Sequence, residues 1–344
     1  MKLSAEQLAM SGRTGRRVTR NSIVFLVLTV MMSMLSSSAK AQQPKIPLVG
    51  LLLSGSRSTT TVHIEAFRQG LRELEYIEKQ NIAIEYRYAE GKYERLPTFT
   101  AELIHLKVDV IFAQAAPAIR AAKEATKTVP IVFEMLADPV SAGFVASLSK
   151  PGGNLTGVGG LAPELSGKRL ELLKQIIPRL SSVAILGNST NPNFRAVLRE
   201  TEMAATALGL RLRSVDVLEA GRLEEAFSTI INVRAEALSV IPDPMFGAEL
   251  RKIVHFAAQN RLPTVYGISG AVETGALMAY APSQREMFRR AATYVDRILK
   301  GANPAHLPVE QPTKFDLEIN LRTARQIGIT IPQAVLYRAD KVMK

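Results

Sequence analysis

From Ile46 onward the chain alternates short apolar or β-branched runs with amphipathic stretches. No other feature constrains its fold as much, because such alternation builds parallel sheets covered by helices. Ile46–Ser54 (IPLVGLLLS) lacks the polar alternates of a half-exposed strand and reads as a buried first strand. In Val62–Leu74, Ala66, Phe67, Gly70, Leu71 and Leu74 share one helical face, while Arg68, Arg72 and Glu73 fall elsewhere. The spacing continues through strand Ile82–Tyr88, helix Tyr93–Leu106, strand Val108–Gln114, helix Pro117–Thr126 and strand Ile131–Leu136. Pro117 suits a helix's first turn, and Asp138 is placed to cap a helix running to about Leu148.

Residues 150–160 (KPGGNLTGVGG) interrupt this regularity with glycine, as expected of a crossing between two lobes. A second series follows: helix Leu165–Ile177, strand Val183–Asn188, helix Asn193–Leu208, strand Leu210–Val217 and helix Leu223–Val233. Strand Ala237–Pro242, helix Gly247–Asn260, strand Thr264–Ile268, a returning strand Gly275–Tyr280 and helix Arg285–Leu299 extend it. The tail holds an extended piece, Leu307–Phe315, and a helix near Leu321–Gln326. Two consecutive α/β lobes predict a clamshell whose cleft lies beyond the carboxyl ends of the strands, where such sheets bind small ligands.

The first 41 residues have a different character. Lys2, Arg13, Arg16, Arg17 and Arg20 precede an uncharged run, Ile23–Leu35, and a close on Ala39-Lys40-Ala41. A basic head, a short apolar centre and small residues two apart are the marks of a cleaved secretion signal, so the mature protein is expected to begin at Gln42 and to work in the periplasm. The apolar run is shorter than the ~20 residues that span a bilayer comfortably. Arg16-Arg17 leaves Sec and twin-arginine export both open. With the leader's six basic residues and one acid removed, the net charge falls from +12 to +7. The remaining charges are dispersed without interleaved aromatics, which gives no nucleic-acid signature. The sequence contains no cysteine, which excludes a disulfide, a thiolate metal site and a lipid anchor at the cleavage point.

Catalytic motifs are missing. His63, His105, His255 and His306 show no metal-ligand spacing, and His63 and His255 lie in predicted helices, as surface or satisfied residues. There is no nucleophile elbow, phosphate loop or dinucleotide fingerprint. No catalytic residue, metal or cofactor is expected. The strand ends offer more. Ser54 and Gly55 end the first strand, and Gln114, Ala115 and Ala116 end the third, directly before a helix whose N-terminus suits a carboxylate. Asp138, as cap or ligand contact, follows the fourth strand; Asn188 and Asp243 follow strands of the second lobe, with Tyr266 and Tyr280 near strand ends. Asp243 could hold an ammonium and Tyr280 could stack on an apolar group. Glu134, inside an apolar strand, is either buried with a partner or on the cleft side.

These segments converge on a family. The stretches FRQGLRELEYIEKQNIAIEYRYAEGKYERLP (67–97), ADPVSAGFVASLSKPGGNLTG (137–157), NPNFRAVLRETEMAATALGL (191–210), IPDPMF (241–246), RLPTVY (261–266), GALMAYAPS (275–283) and YVDRILKGANPAHLPVEQPTKFDLEINLRTARQIGITIP (294–332) carry it. The chain resembles the TrpX-like substrate-binding proteins of ABC transporters, which have the type I periplasmic-binding fold. That resemblance implies two Rossmann-like α/β lobes with parallel sheets joined by crossover hinge strands. One lobe comprises 42–157 plus about 283–308, the other 158–282 plus about 309–344. It also implies a monomeric, non-enzymatic receptor that closes on a small solute and contacts the membrane only through an ABC permease, itself served by an ATPase. Amino acids, aromatic ones favoured, are the expected solutes; sensing in place of transport, and less readily an exported α/β enzyme, are the alternatives. Glu75, Lys79, Ala137, Ala276 and Ala281 stand where glycine is common in the family.

Overall fold

The computed structural model describes residues 45–344 apart from Leu161. The expected leader at 1–41 and its junction at Gln42 lie outside the described residues.

The first series builds β1 (Leu48–Leu53), α1 (Arg57–Glu73), β2 (Ala83–Tyr88), α2 (Leu96–His105), β3 (Val110–Gln114), α3 (Ala115–Ala125), β4 (Ile131–Met135) and β5 (Leu155–Gly159). Its strands form a wholly parallel sheet ordered β2-β1-β3-β4-β5. Side chains from both faces enter separate apolar clusters. That double covering is why β1, β3 and β4 are continuous apolar runs rather than alternating ones. Ser56 starts α1 with a capping box, its hydroxyl accepting from the Thr59 N–H at 3.2 Å.

The second series builds α4 (Ala162–Ile176), β6 (Ser182–Gly187), α5 (Phe194–Ala207), β7 (Arg211–Asp216), α6 (Leu223–Asn232), β8 (Ala237–Val240), α7 (Pro244–Ala248), α8 (Leu250–Gln259), β9 (Thr264–Tyr266) and β10 (Met278–Pro282). There follow α9 (Gln284–Leu299), β11 (Phe315–Asn320), α10 (Leu321–Ile327), α11 (Gln333–Leu336) and β12 (Lys341–Met343). This sheet runs β12-β11-β10-β9-β8-β6-β7, parallel except where β11 returns beside β10. It too is covered on both faces.

Chain order and lobe order separate at α9. Met287, Phe288, Ala291, Ala292, Tyr294 and Val295 of this helix join the apolar cluster of the first sheet. The helix lies so close to α1 that a Cβ on Gly70 would stand 2.5 Å from the Arg289 carbonyl oxygen. After α9 the chain runs beside β5, where the Glu310 N–H donates to the Gly157 carbonyl at 3.0 Å and the Gly159 N–H to the Glu310 carbonyl at 2.9 Å. It then becomes β11 of the second sheet. The chain therefore crosses between lobes three times: after β5, at Ser283 and at 311–314.

Three local expectations change. Of residues 150–160, expected as a crossing between lobes, Leu155–Gly159 form β5 and pair in parallel with β4 inside the first sheet, so the chain leaves this lobe only afterwards. Residues 138–148 form successive turns, not a helix. The Asp138 carboxylate accepts from the Val140 N–H at 2.9 Å and the Ser141 N–H at 3.2 Å, and Gly143 adopts a φ of 72° that ends any helical path. The helix expected over Gly247–Asn260 is split at Glu249 into α7 and α8 because Asp243 caps a short helix of its own. Glu75 and Lys79 keep left-handed φ values of 66° and 70° on exposed turns. The glycine conformation thus persists where the side chain has changed.

Candidate functional site

In the first sheet, strand order reverses between β1 and β3; in the second, between β6 and β8. Both reversals open crevices at the carboxyl ends of their strands. A cavity of about 870 Å³ lies there, walled by residues 55–63, 114–116 and 134–137 of the first lobe and 191–197, 242–251 and 268–274 of the second. Ser283–Glu286, Lys314, Asp316, Glu318 and Lys341, from the crossings, the start of α9 and strands β11 and β12, complete it.

The first-lobe wall begins with a clamp between β1 and β3. The Gln114 Oε1 accepts from the Ser54 N–H at 3.1 Å and the Gly55 N–H at 3.4 Å. The Ser54 hydroxyl donates to the Gln114 carbonyl at 2.9 Å and accepts from the Ala118 N–H at 3.2 Å. Ser54 is therefore spent on holding the strand end and does not line the cavity; Gly55, Gln114, Ala115 and Ala116 do. The clamp holds Ala115 at a φ of 67°, which costs an L-residue about 1–2 kcal/mol. Strain of this kind collects at functional sites. The Gln114 side chain does not cap α3, and Ala115 and Ala116 bring to the cavity N–H groups that the helix itself does not use.

Beside it stands Glu134, paired in register with Gln114 and only 1% exposed. Its Oε1 lies 3.5 Å from the Gln284 Nε2, and its Oε2 has no hydrogen-bond partner. Burial pushes its pKa up to about 8, opposed by the Gln284 contact. From α1, His63 turns its ring toward Phe288, with 5.4 Å between centroids. Its Nδ1 is buried without a partner, and burial, aided by the Arg285 charge, lowers its pKa to about 4. The imidazole is neutral at pH 7.

The second-lobe wall has different accounts. Asp243 lines the cavity, yet its Oδ1 accepts from the Met245 N–H at 2.8 Å and the Tyr93 hydroxyl at 2.5 Å, and its Oδ2 from the Asn191 Nδ2 at 2.8 Å. Burial raises its pKa and these donors oppose that rise. Tyr93 belongs to the first lobe, and its ring packs against apolar clusters of both lobes. Burial, and then Asp243, holds its phenol well above the ordinary range. Glu318 is similarly engaged, its Oε1 accepting from the Ser269 hydroxyl at 3.1 Å and its Oε2 from the Gly270 N–H at 2.8 Å.

Other expected contacts lie away from the cavity lining. Asn188 is buried, with its Oδ1 accepting from the Thr190 N–H and hydroxyl at 2.9 and 2.6 Å. Asp138 holds the turn described above. Tyr266 is buried in the second-lobe core with its hydroxyl unpartnered, and burial raises its pKa. Tyr280 faces the opposite core cluster and pairs in register with Leu317. Its carbonyl accepts from the Arg169 Nε at 2.9 Å. Arg169, unremarked in the sequence, is 2% exposed, and burial lowers its pKa to about 10. Among the described residues, the cavity lining contains no phenylalanine, tyrosine or tryptophan; Val62, Leu136, Val197, Leu250 and Ile268 supply apolar surface. Of the alanines standing for family glycines, Ala137 lines the cavity and Ala276 and Ala281 do not. His63, expected as a surface or satisfied residue, instead lines the cavity with a buried, unpartnered Nδ1; Tyr93, Arg169 and Gln284 escaped sequence reasoning, and Glu134 carried the one usable signal, an acid inside an apolar strand. Among the described residues, no group of three His, Asp or Glu is placed to hold a metal ion.

Comparison with known proteins agrees with this architecture. A tyrosine-binding protein of Clostridioides difficile is 25% identical over 266 residues, which cover 77% of this chain and 76% of the relative. The crystal structure of a conserved domain protein from Vibrio cholerae is 28% identical with a TM-score of 0.82, covering 87% of this chain and 100% of that one. An ABC domain from Streptococcus pneumoniae, in complex with L-Trp, is 26% identical with a TM-score of 0.81, covering 86% and 99%. The neighbouring folds are type I periplasmic-binding proteins. Residues 54–343 match the family described as ABC transporter substrate binding protein, and the chain belongs to that family.

Proposed function

We propose that this chain is the exported receptor of an ABC importer, capturing an amino acid, aromatic ones favoured, by closure of its two lobes. One observation carries the reading: a cavity of about 870 Å³ bounded by the strand ends of two lobes between which the chain crosses three times. A solute touching both walls favours the closed arrangement, so affinity and closure are linked. Gly55, Gln114, Ala115 and Ala116 contact it from the first lobe, and Asp243 borders it from the second. The first turn of α3 suits a solute carboxylate, and the aliphatic residues of the two walls suit an apolar side chain. The names of the tyrosine-binding relative and the L-Trp complex support the solute class. The leader directs the chain to the periplasm, where a monomer presents its cargo to a permease served by an ATPase. The bound solute leaves unchanged, without catalysis or cofactor.

Mass spectrometry of the solute that co-purifies, followed by thermal shifts with L-tyrosine, L-tryptophan and a panel of other amino acids, tests this. At 100 times Kd the protein gains about 2.7 kcal/mol. X-ray scattering of the saturated protein should show compaction. An unmoved melting temperature with every amino acid defeats the solute assignment, and chemical conversion of a bound solute defeats the receptor role.

A further inference from the structure

We propose that Glu134 receives the cationic group of the solute and makes this cleft selective for amines. The proposal deepens the receptor reading and rests on it.

The geometry leaves Glu134 incomplete in a specific way. The residue is 1% exposed and lines the cavity at the carboxyl end of β4, inside an apolar strand. One oxygen has only a long 3.5 Å contact from Gln284, and the other has nothing. A buried carboxylate is costly unless hydrogen bonds and an opposite charge surround it. No basic side chain contributes to its electrostatics; burial raises its pKa and Gln284 alone opposes. Arg285, the basic residue that follows Gln284, acts instead on His63. The neutral imidazole supplies no cation either. The neighbouring backbone donors of Ser54 and Gly55 are held by Gln114. The missing partner is thus a donor that carries positive charge and arrives through the cavity, which an ammonium does. Gln284 is a positioning residue, since it holds the oxygen that the solute does not need. Asp243 and Glu318, the other buried acids on the cavity, already accept three and two hydrogen bonds and are not available for this work.

Calorimetry on the mature protein tests the assignment with three probe classes: L-tyrosine and L-tryptophan; tyramine and tryptamine, which retain the ammonium; and 3-(4-hydroxyphenyl)propionate and indole-3-propionate, which lack it. Amine-bearing probes should bind, and the des-amino acids should bind about 100-fold more weakly, as when one partner of a buried charge pair is removed. Glu134→Gln, which keeps shape and removes the charge, should weaken the amines by a similar factor; Gln284→Ala should weaken them less. Circular dichroism and melting confirm that each variant is folded. Equal affinity for amine and des-amino probes, or amine affinity in Glu134→Gln within threefold of the parent, overturns the proposal. If no aromatic probe binds, the co-purified solute decides. A solute without a cationic group overturns the Glu134 assignment and spares the receptor. A cationic solute of another class overturns the aromatic assignment, and its affinity for Glu134→Gln then rules on Glu134. Absence of any solute and of binding by every probe defeats both.

Discussion

The two walls of the cleft occupy equivalent places in their sheets and differ in their polar accounts. The first-lobe wall is left open: Glu134 has a bare oxygen, His63 a bare nitrogen, and Ala115 a strained φ at the start of α3. On the second-lobe wall, Asp243 and Glu318 accept hydrogen bonds on both oxygens. One of the donors to Asp243, Tyr93, comes from the opposite lobe. The contrast teaches that a buried acid on a cavity is not by itself a ligand contact. What distinguishes the two is whether the fold has already satisfied it.

The largest test acts on the strand pair that supports the open wall. Gly157 of β5 has a φ of 154°, and a Cβ there would lie 2.1 Å from the Phe133 carbonyl oxygen of β4. Gly157→Ala should cost about 3–5 kcal/mol in urea unfolding. Hydrogen exchange should rise in β4 and β5 while β6 and β8 keep their protection; uniform loss across both lobes would contradict their separate sheets.

Next come the two acids, whose substitutions should move stability in opposite directions. Asp243→Ala strands the Tyr93 hydroxyl, the Asn191 amide and the Met245 N–H, and should cost about 2–4 kcal/mol. Glu134→Gln relieves a buried carboxyl group and should raise the stability of the solute-free protein by about 2 kcal/mol at pH 8. Melting curves of both variants check this; a loss in each would erase the distinction.

The same wall should set a pH profile. The pKa of Glu134 rises from 4.5 unfolded to about 8 folded, so the folded state holds its proton longer. Its contribution is full below pH 4.5 and is lost as pH climbs through 8. His63 behaves oppositely: its pKa falls from 6.5 to about 4, so its neutral form contributes above pH 6.5 and that contribution is lost as pH drops toward 4. Glu134→Gln should flatten the alkaline limb of the stability curve, and His63→Asn the acidic limb. Unaltered limbs would show that neither group is perturbed as its burial requires.

The smallest effect concerns the contact between the lobes. Tyr93→Phe removes one hydrogen bond from Asp243 while keeping the ring, and should cost about 1 kcal/mol. The solute-free radius of gyration should increase, with hydrogen exchange inside each lobe preserved. An unchanged radius would make Tyr93 a packing residue alone.

Much of this molecule was legible before the structure. The strand runs of both lobes were readable because a doubly covered parallel sheet needs continuous apolar strands. The strand ends at Gly55 and at Gln114–Ala116 followed from where such sheets bind ligands. Asp138 misled because proline after a capping residue suits both a helix and a turn, and Gly143 decided for the turn. Tyr266 and Tyr280 were placed near strand ends correctly, but their side chains enter the core on the two faces of the sheet. Proximity to an end says nothing about direction until the register is known. Arg169 and Tyr93 had no local signal, since their partners lie 111 and 150 residues away.

By itself the sequence determined the alternating α/β layers and the helix faces, because periodicity and burial act over neighbouring residues. Only the tertiary structure decided that Asp243 is satisfied across the cleft and that Glu134 is not. Those outcomes depend on which atoms meet from distant segments, and a buried polar group acquires its role from the partners that the fold brings to it or withholds.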